Sequence, residues 1–187
     1  AFPAICVATW LVLHRLGASR LAAAVAALLF SFLPYPFAQV SMGHHFLSAY
    51  VAVPLAGWLV IRAMRADPLL TTRPGKMGMA AWVSWRNALM VAALIVIGGS
   101  TLYYSVFTLM LLCAAGLIAI VVQRSWRAAL PAIASLTGIG VVLVLNLLPG
   151  LIYRMGAGPN PALAVRRPFE SEVFSLSLTQ LLVPVQG

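Results

Sequence analysis

Long apolar runs broken by short polar segments set the rhythm of this chain. The first run covers residues 3–16 and gives way to His14, Arg15, Gly17, Ser19 and Arg20, the makings of a tight turn. A second, rich in alanine, covers 21–32. Pro34 and Pro36 are expected to end it, since proline lacks an N–H and clashes with the preceding turn. A loop over 34–43 should follow, with Tyr35 and Phe37 as interfacial aromatics. A third run covers 45–64, and Pro54 is expected to kink it. After a polar stretch at 62–86, apolar character resumes at Asn87 and holds to Val122. One helix of that length would measure about 54 Å against a hydrocarbon core of about 30 Å, so the pattern predicts two. Gly98-Gly99-Ser100-Thr101 places the break, with helices at about 88–97 and 102–122. A last run, 128–153, carries Pro131 in its first turn, Pro149 near its end and Asn146 as its one strongly polar residue. Asn146 is expected to bind helix to helix. The segment 154–187 differs, with glycines, prolines, three arginines and two of the chain's three acids. Ser177 and Gln180 have capping-box spacing ahead of Leu181-Leu182, which predicts a short surface helix stopped by Pro184.

Charge gives this pattern a direction. Nine of the twelve Lys and Arg fall in three alternate loops: Arg15 and Arg20; Arg62, Arg65, Arg73, Lys76 and Arg86; Arg124 and Arg127. The two intervening loops hold none. Basic loops stay in the cytoplasm, so the 34–43 loop, the Gly98 turn and the C-terminal tail are expected to face outward, into the periplasm of a bacterial inner membrane. The expected fold is all-α: a polytopic transmembrane helical bundle of about six spans over residues 1–153, with an outward-facing C-terminal tail or loop over 154–187.

Composition agrees. Hydrophobic residues make up 63% of the 187 and charged residues 8%, far from the roughly 25% charge of a soluble domain. The lipid bilayer is the partner that covers such a surface. The net charge of +9 does not indicate nucleic acid, because the basic residues lie in short loops between apolar runs. Cys6 and Cys113 sit inside apolar runs without metal-ligand spacing and are expected to be small core- or lipid-facing residues. The chain opens Ala1-Phe2-Pro3-Ala4 and ends at Gln186-Gly187 straight after an apolar stretch, and is expected to be a piece of a longer protein. No P-loop, GxSxG, HExxH or Rossmann fingerprint is present.

Three polar features are expected on the outer side. The first is Gly43-His44-His45 with Ser48 and Tyr50, inside the stretch 41–55 on which the chain turns. A histidine can bind phosphate when charged and relay a proton when neutral; it can equally be an interfacial residue solvated by headgroups. The second is Ser100 to Ser105, where Tyr103 and Tyr104 offer hydroxyls and aromatic faces to a sugar or lipid phosphate, or serve as belt anchors. The third is Arg166-Arg167-Pro168-Phe169-Glu170-Ser171-Glu172. Its arginines suit phosphate bidentately and Glu170 and Glu172 could act as general base; the alternative is a solvated loop with weak ion pairs. Arg154 is a further candidate with a snorkelling alternative, and Asp67, before Pro68, is expected to serve a turn.

The arrangement resembles the glycosyltransferase C superfamily of bacterial polytopic membrane proteins, particularly its YfhO-like group. The resemblance lies in the segment 43–55, the Tyr-Tyr pair after the glycine break, and the tail from Arg167-Pro168-Phe169-Glu170 to Pro184. It implies transfer of a sugar from a polyprenyl-phosphate donor on the outer side of the membrane. It also implies a catalytic carboxylate upstream of Ala1, often with a divalent metal, so that the metal ligands would lie outside this chain. His44, His45, Tyr103, Tyr104, Arg166 and Arg167 would then support the substrate, with Glu170 and Glu172 as the carboxylates present. A transporter or flippase, or a non-catalytic scaffold subunit, is the competing expectation. Nearly uncharged spans weigh against ion coupling, while Pro54, Pro149 and Asn146 leave broken helices open.

Overall fold

A computed structural model describes residues 2–41, 43, 49–72 and 82–158. Among them the chain is helical throughout, with no strand. Seven helices follow in order: α1 (Phe2–Arg15), α2 (Arg20–Ser31), α3 (Pro34–Ser41), α4 (Ala52–Met64), α5 (Trp85–Gly98), α6 (Leu102–Gln123) and α7 (Leu130–Ala157). A single 3-10 turn, Trp126–Ala129, leads into α7. Among the described residues three stretches are long and apolar enough to cross a membrane: Arg20–Ser41, Leu102–Gln123 and Trp126–Ala157. Three shorter apolar helices, α1, α4 and α5, accompany them.

Local chemistry sets the boundaries. Ser19 caps α2 by accepting from the Ala22 N–H, and Ser84 caps α5 by accepting from the Asn87 N–H. Gly17 turns the chain between α1 and α2 at φ +103°, a conformation open to glycine. The break at Gly98–Thr101 is where the sequence places it. Two prolines act differently from expectation. Pro34 does not end a helix but begins α3, so the anticipated loop is largely helical; at a first helical position the missing N–H costs nothing and φ is already set. Pro54 lies in the first turn of α4, where its N–H would also be unbonded, so it puts no kink in mid-helix.

The residues up to Leu148 form one compact unit, and Pro149 onward, including the end of α7, belongs to a second. In the first, α1 pairs with α2, and α4 packs against α1, α5 and α6. Its core holds Leu59, Met90, Ile97, Leu112 and Ile139, and is thin. Large apolar side chains such as Leu21, Leu117, Val121 and Val122 remain exposed, as a lipid-covered surface requires. Small residues let the backbones approach: a Cβ on Gly98 would lie 2.7 Å from Val142 Cβ, and one on Gly138 would lie 2.8 Å from Leu94 Cδ1. Four buried hydroxyls are satisfied inside their own helices, while Ser105 donates across to the Ile97 carbonyl of α5. Thr9 donates to the Ile5 carbonyl, Ser31 to Ala27, Thr108 to Tyr104 and Ser135 to Pro131. Asn146 is exposed and makes no hydrogen bond among the described residues, so the helix-to-helix partner expected for it is not found there.

The helix directions sort the unit into two unlike ends. At one lie Arg15, Arg20, Arg62, Arg65, Arg86, Arg124 and Arg127. There Gln123 Nε2 donates to the Arg65 carbonyl at 3.1 Å, joining the ends of α6 and α4. Asn87 gathers the chain between α4 and α5: it accepts from the Thr71 N–H and donates to the Thr71 and Trp82 carbonyls. Asp67 stands in the turn after α4, its N–H on the Arg62 carbonyl. The opposite end is aromatic and, among the described residues up to Leu148, without a cation.

Candidate functional site

The aromatic end is built from the C-terminus of α2, the start of α3, the turn before α4 and the start of α6. Phe2 stacks on Phe32 and Phe37 with ring centroids 5.6 and 5.3 Å apart, fixing α1 against the α2–α3 junction. Beside them Tyr50 is 4% exposed. Its hydroxyl donates to the Phe30 carbonyl at 2.6 Å and lies 3.4 Å from that of Ser31. These carbonyls belong to the last turn of α2, where helix geometry leaves acceptors free. The Tyr50 ring meets Phe30 and Tyr35 edge-on, at 5.2 and 5.9 Å. Tyr35 and Tyr104 share a side-chain hydrogen bond. Three tyrosines from three distant parts of the sequence therefore form one cluster.

Within it the roles differ. Tyr50 is enclosed and its hydroxyl is committed to backbone, so it holds the site together. Tyr35 is 43% exposed, with its hydroxyl paired to Tyr104. Tyr104 packs on the core and braces Tyr35. Such a surface combines aromatic faces with hydroxyls that both donate and accept, which suits a polyhydroxylated ligand.

The tyrosine pair of the sequence is thereby divided. Tyr104 joins the cluster. Tyr103 is 56% exposed and lies instead on an open apolar surface with Leu102, Val106, Phe107 and Met110. His44 and His45 lie outside the described residues, between Gly43 at φ +78° and the pinned Tyr50. Arg166, Arg167, Glu170 and Glu172 also lie outside them, as does the segment around Ser177 and Gln180. Arg154 is exposed in the last turn of α7. Among the described residues no group of three His, Cys, Asp or Glu side chains could hold a metal ion. Sequence reasoning missed Tyr35 as a site residue, having read it as a belt aromatic. The available signal was that Tyr35 and Tyr50 bracket the histidine segment. Family models, curated proteins and solved structures give no match to this chain.

Proposed function

We propose that this chain is part of a multi-pass inner-membrane glycosyltransferase that moves a sugar from a polyprenyl-phosphate donor, with its aromatic end toward the periplasm. The observation that supports this reading is the Tyr35–Tyr50–Tyr104 cluster at the end lacking arginine, adjoining in sequence the His44-His45 segment. The side without basic residues is the side expected to face outward. In the proposed reaction the acceptor hydroxyl attacks the anomeric carbon, the bond from that carbon to the lipid phosphate oxygen breaks, and the hydroxyl proton passes to a carboxylate outside this chain. Tyr35 would contact the sugar and Tyr104 would position Tyr35.

The test uses the full-length protein in membrane vesicles with radiolabelled sugars on a panel of polyprenyl-phosphate donors. Wild type should transfer from at least one donor. Tyr35→Phe and the His44→Ala/His45→Ala double variant should lose most of that transfer at matched expression, with Tyr103→Phe unaffected. No transfer from any donor would overturn the enzyme reading in favour of a transporter or scaffold. Transfer that ignores all of these variants would keep the reaction and remove it from the tyrosine end.

A further inference from the structure

A second feature runs along α1 and is independent of glycosyl transfer. An open groove of about 270 Å³ runs between α1 and α5, with α4 as its floor. Ala4 and Arg15 mark its two ends on α1, Leu55 and Trp58 line it from α4, and Leu89 and Ala92 from α5. Its lining is hydrocarbon apart from Arg15 at one mouth. From Ala4 to Arg15 the groove is about 16 Å long at helical rise.

Each of the three helices carries an arginine toward the Arg15 end of the groove. Arg15 lines it directly. Arg62 stands one turn beyond Trp58, with its guanidinium 5.9 Å from that ring. Arg86 stands about one turn beyond Leu89 on α5 and is within electrostatic range of Arg62. Asp67, the one carboxylate among the described residues, acts on Arg62. Arg62 is buried, and its Nη2 donates to the Pro68 carbonyl; its Nε has no hydrogen-bond partner among the described residues. A protein segment filling the groove would cover the apolar walls but would not account for the cations at its end.

We propose that this groove binds one acyl chain of an anionic phospholipid, with the headgroup phosphate held among Arg15, Arg62 and Arg86. Guanidinium groups match phosphate oxygens in pairs, and basic residues at the cytoplasmic surface attract anionic lipid. The lipid belongs to the leaflet at the arginine end.

Delipidated full-length protein in detergent, titrated and followed by native mass spectrometry, tests this. The probes are phosphatidylglycerol, phosphatidylcholine with the same chains, and inorganic phosphate. Phosphatidylglycerol should be retained over phosphatidylcholine, and Arg15→Gln and Arg86→Gln should each weaken it about fivefold. Ala92→Phe, which places a ring in the groove from an exposed position, should also weaken it while leaving thermal stability unchanged. Equal retention of the two lipids would overturn the proposal. So would inorganic phosphate binding as well as phosphatidylglycerol with no effect of Ala92→Phe, which would mean a plain anion patch. A photoreactive benzophenone side chain at position 92 that crosslinks to protein rather than lipid would give the groove to another segment and overturn it too.

Discussion

The Tyr50 hydroxyl donates to the Phe30 carbonyl at 2.6 Å, tying the entry of α4 to the last turn of α2. This bond closes the chain around the histidine segment and sets where Tyr35 stands. Tyr50→Phe keeps the ring contacts with Phe30 and Tyr35 and removes only the donor. Thermal unfolding in detergent should show a loss of about 1 kcal/mol. Tyr50→Ala should lose about 3–5 kcal/mol, because the enclosed ring goes as well. A Tyr50→Phe variant as stable as wild type would mean that the bond contributes nothing.

Two glycines should respond to alanine in opposite directions. Gly98→Ala drives a methyl to within 2.7 Å of Val142 Cβ and 2.8 Å of the Ile139 carbonyl, neither of which is a flexible tip. It should destabilise by about 1–3 kcal/mol. A Cβ on Gly57, exposed within α4, meets nothing within 4 Å. Gly57→Ala should therefore raise stability by about 0.5–1 kcal/mol through helix propensity. Equal effects at both sites in the same unfolding assay would contradict the packing of α5 on α7.

Asn87 is 5% exposed and its amide binds the chain on both sides of residues 73–81. Asn87→Ala should cost about 1–2 kcal/mol, since it leaves part-buried backbone groups of Thr71 and Trp82 without this partner. Asn87→Asp retains the acceptor for the Thr71 N–H and loses both donors, so it should fall between wild type and alanine. Trypsin cleavage at Lys76 should accelerate in the same order. Unchanged cleavage in Asn87→Ala would show that the amide does not restrain this stretch.

Sidedness can be read by cysteine labelling with a membrane-impermeant maleimide. On a background with Cys6 and Cys113 replaced by alanine, Leu102→Cys should label from the periplasmic side of intact cells. Arg127→Cys should label only after permeabilisation. The reverse pattern would invert the bundle and place the tyrosine end in the cytoplasm, removing the proposed transfer from the outer face.

Helix positions were legible in the sequence wherever a backbone reason was local. Gly17 and Ser19 mark one turn, Gly98 to Thr101 another, and apolar length required a second helix between them and Arg124. The prolines misled because their effect depends on position within a helix, and a composition signal does not carry that position. Pro34 and Pro54 were read as breaker and kink, and both occupy first turns. The tyrosine cluster was only half legible. Tyr104 and Tyr50 stood out as polar aromatics, but their meeting with Tyr35 depends on helix packing across distant parts of the chain. Tyr103 looked equivalent to Tyr104, and adjacent residues on a helix point about 100° apart, which sends one to the core and the other outward.

The helices that form the floor and one wall of the groove are also short. α4 has 13 residues and α5 has 14, or about 20–21 Å of rise. Where a bilayer meets so short a pair it must dimple inward, at a cost of a fraction of a kcal/mol for each ångström of mismatch. A lipid seated in the groove would lie at the lowest point of that dimple, where its own chain length sets how far the surrounding membrane has to bend. Bilayer thickness then becomes a variable that this protein can sense, and shorter acyl chains are the ones that it should favour.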